Sequence, residues 1–174
     1  MIMYYIYIIF YSTMAIHKIL IDDFISIDYQ LVAIHSSLED YRLAYFINQK
    51  LGISFEKSEN DIGIQIPEGK SHFTRFVFDD EEHEIFWNLI PNKTKVATRQ
   101  TKATSLFEET ELEITTNIFL LPELKKVDYI LKIENTDDFF DTDSLIDNLL
   151  TIKQITTAYK IEQDKLKSKN NLIF

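Results

Sequence analysis

The chain has 174 residues, a formal net charge of −10 and no cysteine. This length suits one domain, and 45% hydrophobic with 26% charged residues is ordinary for a soluble globular protein with a core. The negative charge opposes binding to nucleic-acid phosphates, so nucleic acid is not an expected partner. The lack of cysteine excludes disulfides, thiolate zinc sites and thiol nucleophiles. The only glycines, Gly52, Gly63 and Gly69, are too scattered for a phosphate-binding loop.

Residues 1–13 are apolar, aromatic and uncharged, unlike the rest of the chain. A membrane span needs about 20 residues, and this run also lacks the basic start and cleavage site of a signal peptide. We interpret 1–13 as a non-structural extension preceding a start at Met14, and 14–174 as a single domain. A membrane-touching segment is the alternative. The expected location is the cytoplasm, without membrane association.

The first predicted elements are strands at 16–21 and 29–35, with a turn at Asp22-Asp23 between them. Ser36, with Glu39 three residues on, predicts a capping box that opens a helix over 38–51. Gly52 predicts its end. Helical spacing places these residues near the buried face: Leu38, Tyr41, Ala44, Tyr45 and Leu51.

Short turns then separate strands, which makes neighbouring strands antiparallel. The predicted strands are 53–57, 62–66, 73–78 and 84–90, with turns at 59–61, 67–69 and 79–82. The polar stretch 91–105 predicts a long loop, and 112–121 a weaker strand.

Residues 127–134 contain the clearest strand, in which apolar and mostly charged positions alternate. This pattern predicts one buried and one exposed face, with Val127 and Tyr129 on the buried side. Acidic caps at 141–144 then predict a helix over 143–153, and 155–161 a last strand. The sequence therefore predicts an α+β fold: a mostly antiparallel sheet, two helices on one face, and ferredoxin-like split βαβ elements.

Two acidic runs are candidate metal sites, but neither has suitable spacing. Residues 79–84 are consecutive in a predicted turn, where their side chains splay apart. Residues 137–143 lack the Gly and Glu of a calcium loop and are better explained as helix caps. His35 beside Ser36 is similarly interpreted as capping. We expect no metal, no cofactor and no catalytic residue.

A basic patch lies in the predicted loop 91–105. We interpret it as solvated, and an anion-facing role is the alternative. Its residues are Lys93, Lys95, Arg99 and Lys102.

The segment before the clearest strand reads Leu121-Pro122-Glu123, and three residues later Val127-Asp128-Tyr129 follows. This pattern resembles the IPExxxVDY family of uncharacterised bacterial proteins, with Leu121 replacing the first Ile. The resemblance implies no activity. For Glu123 and Asp128 we favour a structural role, bonding backbone amides to fix the turn after Pro122, over presenting charge to a partner.

The favoured function is a non-catalytic interaction or regulatory module with a protein partner, and a homodimer stays open. The alternative is a small-molecule sensor with a groove between the sheet and loop 91–105. A carboxylate-dependent hydrolase is the third hypothesis. The apolar run Leu172-Ile173-Phe174 is predicted to be buried, in the monomer or in a dimer.

Overall fold

The computed structural model describes residues 29–66, 69–103, 109–137 and 139–174. Several predictions lie outside the described residues. They are the extension 1–13, the start at Met14, the strand 16–21, the turn Asp22-Asp23, the turn residues Pro67 and Glu68, and Asp138.

Ten strands and two helices make up the regular structure of the described residues. The helices are α1 (Asp40–Leu51) and α2 (Thr142–Leu150). The strands are β1 (Tyr29–Ser36), β2 (Glu56–Lys57), β3 (Ile62–Ile66), β4 (Gly69–Phe73), β5 (Phe76–Asp80), β6 (Ile85–Pro91), β7 (Lys93–Ala103), β8 (Glu109–Phe119), β9 (Tyr129–Glu134) and β10 (Ile155–Lys160). Short 3₁₀ turns occupy Pro122–Leu124, Gln163–Lys165 and Lys169–Leu172.

The main sheet has six antiparallel strands in the order β10-β1-β9-β6-β5-β2. Helix α2 connects β9 to β10, and β1 lies between those two strands. Helix α1 lies between β1 and β6 in sequence, and β9 separates those two strands in the sheet. Residues 129–160 therefore form one split βαβ unit, whereas four strands, β2–β5, intervene in sequence between α1 and β6. The antiparallel sheet with its two helices confirms the predicted α+β fold.

Two hairpins, β3–β4 and β7–β8, lie outside this sheet. The second hairpin corrects the prediction of a long loop over 91–105, because β7 pairs with β8 from Lys93↔Phe119 to Ala103↔Glu109. The composition misled the prediction. Threonine and valine are good strand residues, and residues 92–108 contain no Gly or Pro to interrupt a strand.

The main sheet is buried on both faces. Both helices pack on one face, as predicted, and bury Leu43, Ile47, Leu145 and Leu149 against the sheet. Hairpin β3–β4 and the segment 161–174 cover the other face. The buried residues of this second core are Leu31, Ala33, Ile62, Phe73, Ile90, Leu120, Leu121, Val127, Ile130, Ile161, Leu166 and Leu172.

Burial on both faces corrects the expectation that β9 has one exposed face. Ile130 and Lys132 on its second face are buried as fully as Tyr129 and Leu131 on its first. Val127 precedes the strand and belongs to the second core, whereas Tyr129 belongs to the first. The period of two does not extend to residue 127 because that residue is outside the strand ladder.

Helix α1 starts later than predicted, but it ends where predicted. It begins at Asp40, and Glu39 precedes it with no side-chain cap bond, so the predicted capping box is wrong. Ser36 instead ends β1, where its hydroxyl oxygen accepts from the amide of Leu38 at 3.2 Å. Gly52 ends the helix as predicted, in a left-handed conformation with φ of 72°.

Other boundaries shift by smaller amounts. The predicted strand 73–78 is two strands that break at Thr74-Arg75, and the predicted strand 53–57 shortens to Glu56–Lys57. Helix α2 ends at Leu150 rather than at residue 153. Its predicted acidic cap is confirmed, since the Asp141 carboxylate accepts from the amide of Ser144 at 2.9 Å.

The predicted burial of the apolar run at 172–174 is confirmed only for Leu172, which is 1% exposed. Ile173 is 72% and Phe174 42% exposed.

We therefore expect Leu172→Ala to lower the free energy of unfolding by about 2–4 kcal/mol, as buried leucine truncations do. Ile173→Ala, the matched control, should change it by less than about 0.5 kcal/mol. Urea unfolding measures both, and equal effects would contradict the assignment of Leu172 to the second core.

Candidate functional site

One buried side chain, Asn92, holds the motif segment in place. Asn92 is 0% exposed at the junction of β6 and β7. Its amide nitrogen donates to the carbonyl oxygens of Leu124 and Val127, at 2.8 and 3.2 Å. Its side-chain oxygen accepts from the amide of Leu121 at 2.8 Å. Its main chain makes two further hydrogen bonds, with Leu120 at 2.9 Å and Asp128 at 2.8 Å.

Glu123 of the motif fixes a distant segment. Its carboxylate accepts from the amides of Lys167 and Ser168, at 2.8 and 3.0 Å. Partial burial raises the pKa of Glu123, but the hydrogen bonds from Ser168, from its own amide and from Lys167 outweigh burial and leave the pKa below its usual value. Glu123 thus connects the Pro122 turn to the segment that covers the second face of the sheet.

Asp128 connects the motif to the entrance of α1. Its carboxylate accepts from the amide of Ser36 at 3.0 Å, and the His35 Nδ1 lies 4.0 Å from the same oxygen. Glu123 and Asp128 therefore both bond backbone amides, as the structural hypothesis requires. Apart from the amide of Glu123 itself, these partners lie outside the turn after Pro122, so the two carboxylates join the motif to distant segments in addition to the predicted turn.

Tyr129 completes the connection to α1. Its ring is 7% exposed in the first core, and its hydroxyl donates to the carbonyl of Leu38 at 2.5 Å. Burial, with smaller contributions from the negative charges of Asp40, Asp128 and Glu39, raises the pKa of Tyr129 to about 12. The neutral phenol is therefore the form that the fold stabilises.

The predicted basic patch is spread along strand β7. Lys93 and Lys95 are exposed there, and positions Arg99 and Lys102 pair in register with Glu113 and Thr110. Because a strand rises about 3.3 Å per residue, the four positions extend over roughly 30 Å. The four residues therefore lie on a strand and not in the predicted long loop, whereas the alternative of an anion-facing role stays a prediction.

The acidic run 79–84 lies at the tip of the β5–β6 hairpin, where Asp79 and Asp80 end β5 and residues 81–84 form the exposed turn. His83 Nδ1 lies 2.9 Å from an Asp80 carboxylate oxygen. This hydrogen bond raises the pKa of His83 and lowers that of Asp80. Within residues 29–66, 69–103, 109–137 and 139–174, no three His, Asp or Glu side chains converge as a metal site would require.

Helix α1 carries an exposed aromatic surface. Two of its residues, Tyr41 and Tyr45, were predicted to lie on the buried face. Tyr41 and Tyr45 are 58% and 56% exposed, whereas Leu43, Ala44 and Ile47 form the buried stripe. The surface bounds a shallow groove of about 520 Å³. We define the α1 aromatic surface as Tyr41, Arg42, Tyr45 and Phe46.

The second core contains a polar cluster that the sequence analysis also missed. We define the buried cationic cluster as Arg75, Asn88, Lys132 and Glu134. Asn88 and Lys132 are 0% and 4% exposed, on the adjacent strands β6 and β9, where they pair in register. A signal existed, because each interrupts a run of apolar strand residues, and buried polar groups need specific partners.

Comparison with known proteins adds no relative. No family model matches the chain, and no curated protein or solved structure matches it significantly. In the part of the chain that the structure describes, no helix is long and apolar enough to cross a membrane.

The Glu123 contacts predict a pH-dependent contribution to stability. A carboxylate whose pKa is lowered in the folded state contributes stability above its unfolded pKa, and this contribution is lost as pH falls through the folded pKa. Glu123→Gln should therefore destabilise the protein at pH 7 but have little effect near pH 3. Urea unfolding at both pH values measures this, with Glu59→Gln as the exposed control. An identical cost at both pH values would contradict it.

The raised pKa of Tyr129 predicts that the wild type and Tyr129→Phe exchange their order of stability at alkaline pH. At pH 7, Tyr129→Phe should cost about 1 kcal/mol because it loses the hydrogen bond to Leu38. A raised folded pKa means that the stabilisation is complete below pH 10, the unfolded pKa, and is lost toward pH 12. Since two pKa units correspond to about 3 kcal/mol, the phenylalanine variant should become the more stable protein in this range. Parallel unfolding profiles from pH 9 to 12 would refute this assignment.

Proposed function

We propose that the protein is a non-catalytic interaction module that binds a partner protein through the α1 aromatic surface. The observation that carries this proposal is the exposure of Tyr41 and Tyr45, two large aromatic rings one helical turn apart. Residues four apart on a helix are neighbours on its surface, so the two rings form one contact area. Tyrosine and arginine, which are both present here, are the residue types enriched at binding hot spots.

Hydrogen bonds orient both rings before any partner arrives. The Tyr41 hydroxyl donates to a Glu39 carboxylate oxygen at 2.7 Å, and the Gln49 side chain donates to the Tyr45 hydroxyl at 2.9 Å. The ring of Phe46 meets that of Tyr45 edge-on, with centroids 5.6 Å apart. A surface whose side chains are already ordered loses less conformational entropy on binding.

Charge favours a basic partner segment. The chain carries a net charge of −10, and Glu39 and Asp40 lie beside the two tyrosines at the start of α1. A lysine or arginine of the partner can stack on a tyrosine ring and pair with these carboxylates.

The proposal has two further parts. The motif supports membership of the IPExxxVDY family, and the composition supports a cytoplasmic location.

A small-molecule sensor is the second candidate function. The sensor hypothesis placed its groove between the sheet and a loop over 91–105. Strand β7 replaces most of that loop, so this groove gives the hypothesis no support. A different groove, of about 410 Å³, supports it and is lined by β3 and by residues 170–174.

The proposed function predicts a specific loss of partner capture. The immobilised wild-type chain should retain one protein in stoichiometric amount from a lysate of the source cells, and raising the salt concentration should weaken this capture. The double variant Tyr41→Ala/Tyr45→Ala should lose the partner. Both substitutions are at exposed positions, so melting temperatures should agree within a few degrees.

Phe139→Ala is the matched control, because Phe139 is 90% exposed and outside the α1 aromatic surface. This variant should capture the partner as the wild type does. Equal capture by all three proteins, or loss of capture in the control as well, would refute α1 as the binding surface.

A further inference from the structure

The buried cationic cluster contains two cations but only one carboxylate, and that carboxylate pairs with Lys132. Lys132 Nζ donates to a Glu134 carboxylate oxygen at 2.6 Å and to the carbonyl oxygen of Leu172 at 2.8 Å. A buried ammonium group is tolerated when it is paired and hydrogen-bonded in this way. Glu134 also accepts from the Asn88 amide at 2.8 Å, so the only carboxylate of the cluster already has two donors.

Arg75 has only neutral hydrogen-bond partners in the described ranges. Its guanidinium donates to the Ser58 hydroxyl at 3.2 Å and to the Asn88 side-chain oxygen at 3.5 Å. Its Nε is buried and has no hydrogen-bond partner among the described residues. A guanidinium is a planar fork of donors that matches a carboxylate or a phosphate. The four side chains of the cluster therefore carry one positive charge in excess, and the Arg75 Nε–H is a buried donor without a partner among the described residues.

The ring of Phe174 lies over both cations. Its centroid is 4.6 Å from Lys132 Nζ and 5.2 Å from the Arg75 guanidinium carbon. The negative face of an aromatic ring attracts cations, but it accepts no strong hydrogen bonds as an anionic oxygen would. Phe174 is 42% exposed and lines the groove of about 410 Å³, so the ring lies between this groove and the two cations.

We propose that Arg75, Asn88 and Lys132 form a binding site for an anionic oxygen group, a carboxylate or a phosphate, with Phe174 as a displaceable cover. Contacts of the residues that precede Phe174 keep the rest of this segment in place. Leu172 is buried, Glu123 holds the amides of residues 167 and 168, and the Asn171 side chain donates to the carbonyl of Leu120 at 2.8 Å. Displacement of the Phe174 ring leaves all of these contacts intact. This site is separate from the α1 aromatic surface.

The test is calorimetric titration of the full chain and of Phe174→Ala at low ionic strength, with inorganic phosphate in one arm and succinate in the other. Removing the Phe174 ring abolishes its competition with an anion for the two cations, although the Tyr29 ring still lies 5.0 Å from Lys132 Nζ. We expect at least one anion to bind Phe174→Ala about tenfold more tightly than the wild type. The anion that binds more tightly identifies the class of ligand. Absence of binding of both anions to Phe174→Ala would overturn the proposal.

A second substitution in the Phe174→Ala chain locates the site. Arg75→Gln should abolish binding there, whereas Lys153→Gln, which removes one exposed positive charge elsewhere, should leave it unchanged. If Arg75→Gln prevents folding, NMR of the Phe174→Ala protein tests the site instead, through the Arg75 Nε–H resonance. This resonance should shift on anion addition, and an unchanged resonance would overturn the proposal. Tyr41→Ala/Tyr45→Ala should retain anion affinity, which separates this test from that of partner binding.

Discussion

The hydrogen bonds of Asn92 are the constraint on which the motif segment depends. The segment between β8 and β9 crosses the edge of the second core without a regular ladder, so its backbone groups need other partners. A buried asparagine supplies both donors and an acceptor at one point. With the segment fixed, the carboxylates of Glu123 and Asp128 reach their amides, and Tyr129 enters the sheet in the correct register.

The motif acts as a junction between three parts of the fold. Glu123 holds the covering segment at residues 167–168, Asp128 holds the end of β1, and Tyr129 bonds the chain just before α1. Each bond joins positions at least 44 residues apart in sequence. This geometry gives the motif side chains partners within the chain.

A buried cationic cluster is an expensive feature for a structure to retain. Hydrophobic residues of similar volume at Asn88 and Lys132 would often be at least as stable, since desolvation opposes the Coulombic gain. The cluster nonetheless occupies the centre of the sheet, on β6 and β9. Lys132 bonds the carbonyl of Leu172 and lies beside the ring of Phe174, so the cluster also restricts how the covering segment can pack on the sheet.

The sequence by itself determined the local elements. Alternation located β9, turn residues bounded β3, Gly52 ended α1, and the Asp141 cap opened α2, because each signal depends on residues within one or two turns. The order of strands and helices also sufficed for the α+β class. These are short-range effects of backbone geometry and side-chain spacing.

The tertiary structure decided everything that depends on contacts between distant residues. Strand β7 exists because β8 pairs with it, and the second face of β9 is buried because segment 161–174 covers it. Likewise, the side of α1 that packs on the sheet left Tyr41 and Tyr45 exposed. Periodicity along one element shows which residues share a face, but the partner that covers the face comes from elsewhere in the chain. For the same reason, no spacing rule could identify the amides that Glu123 and Asp128 bind.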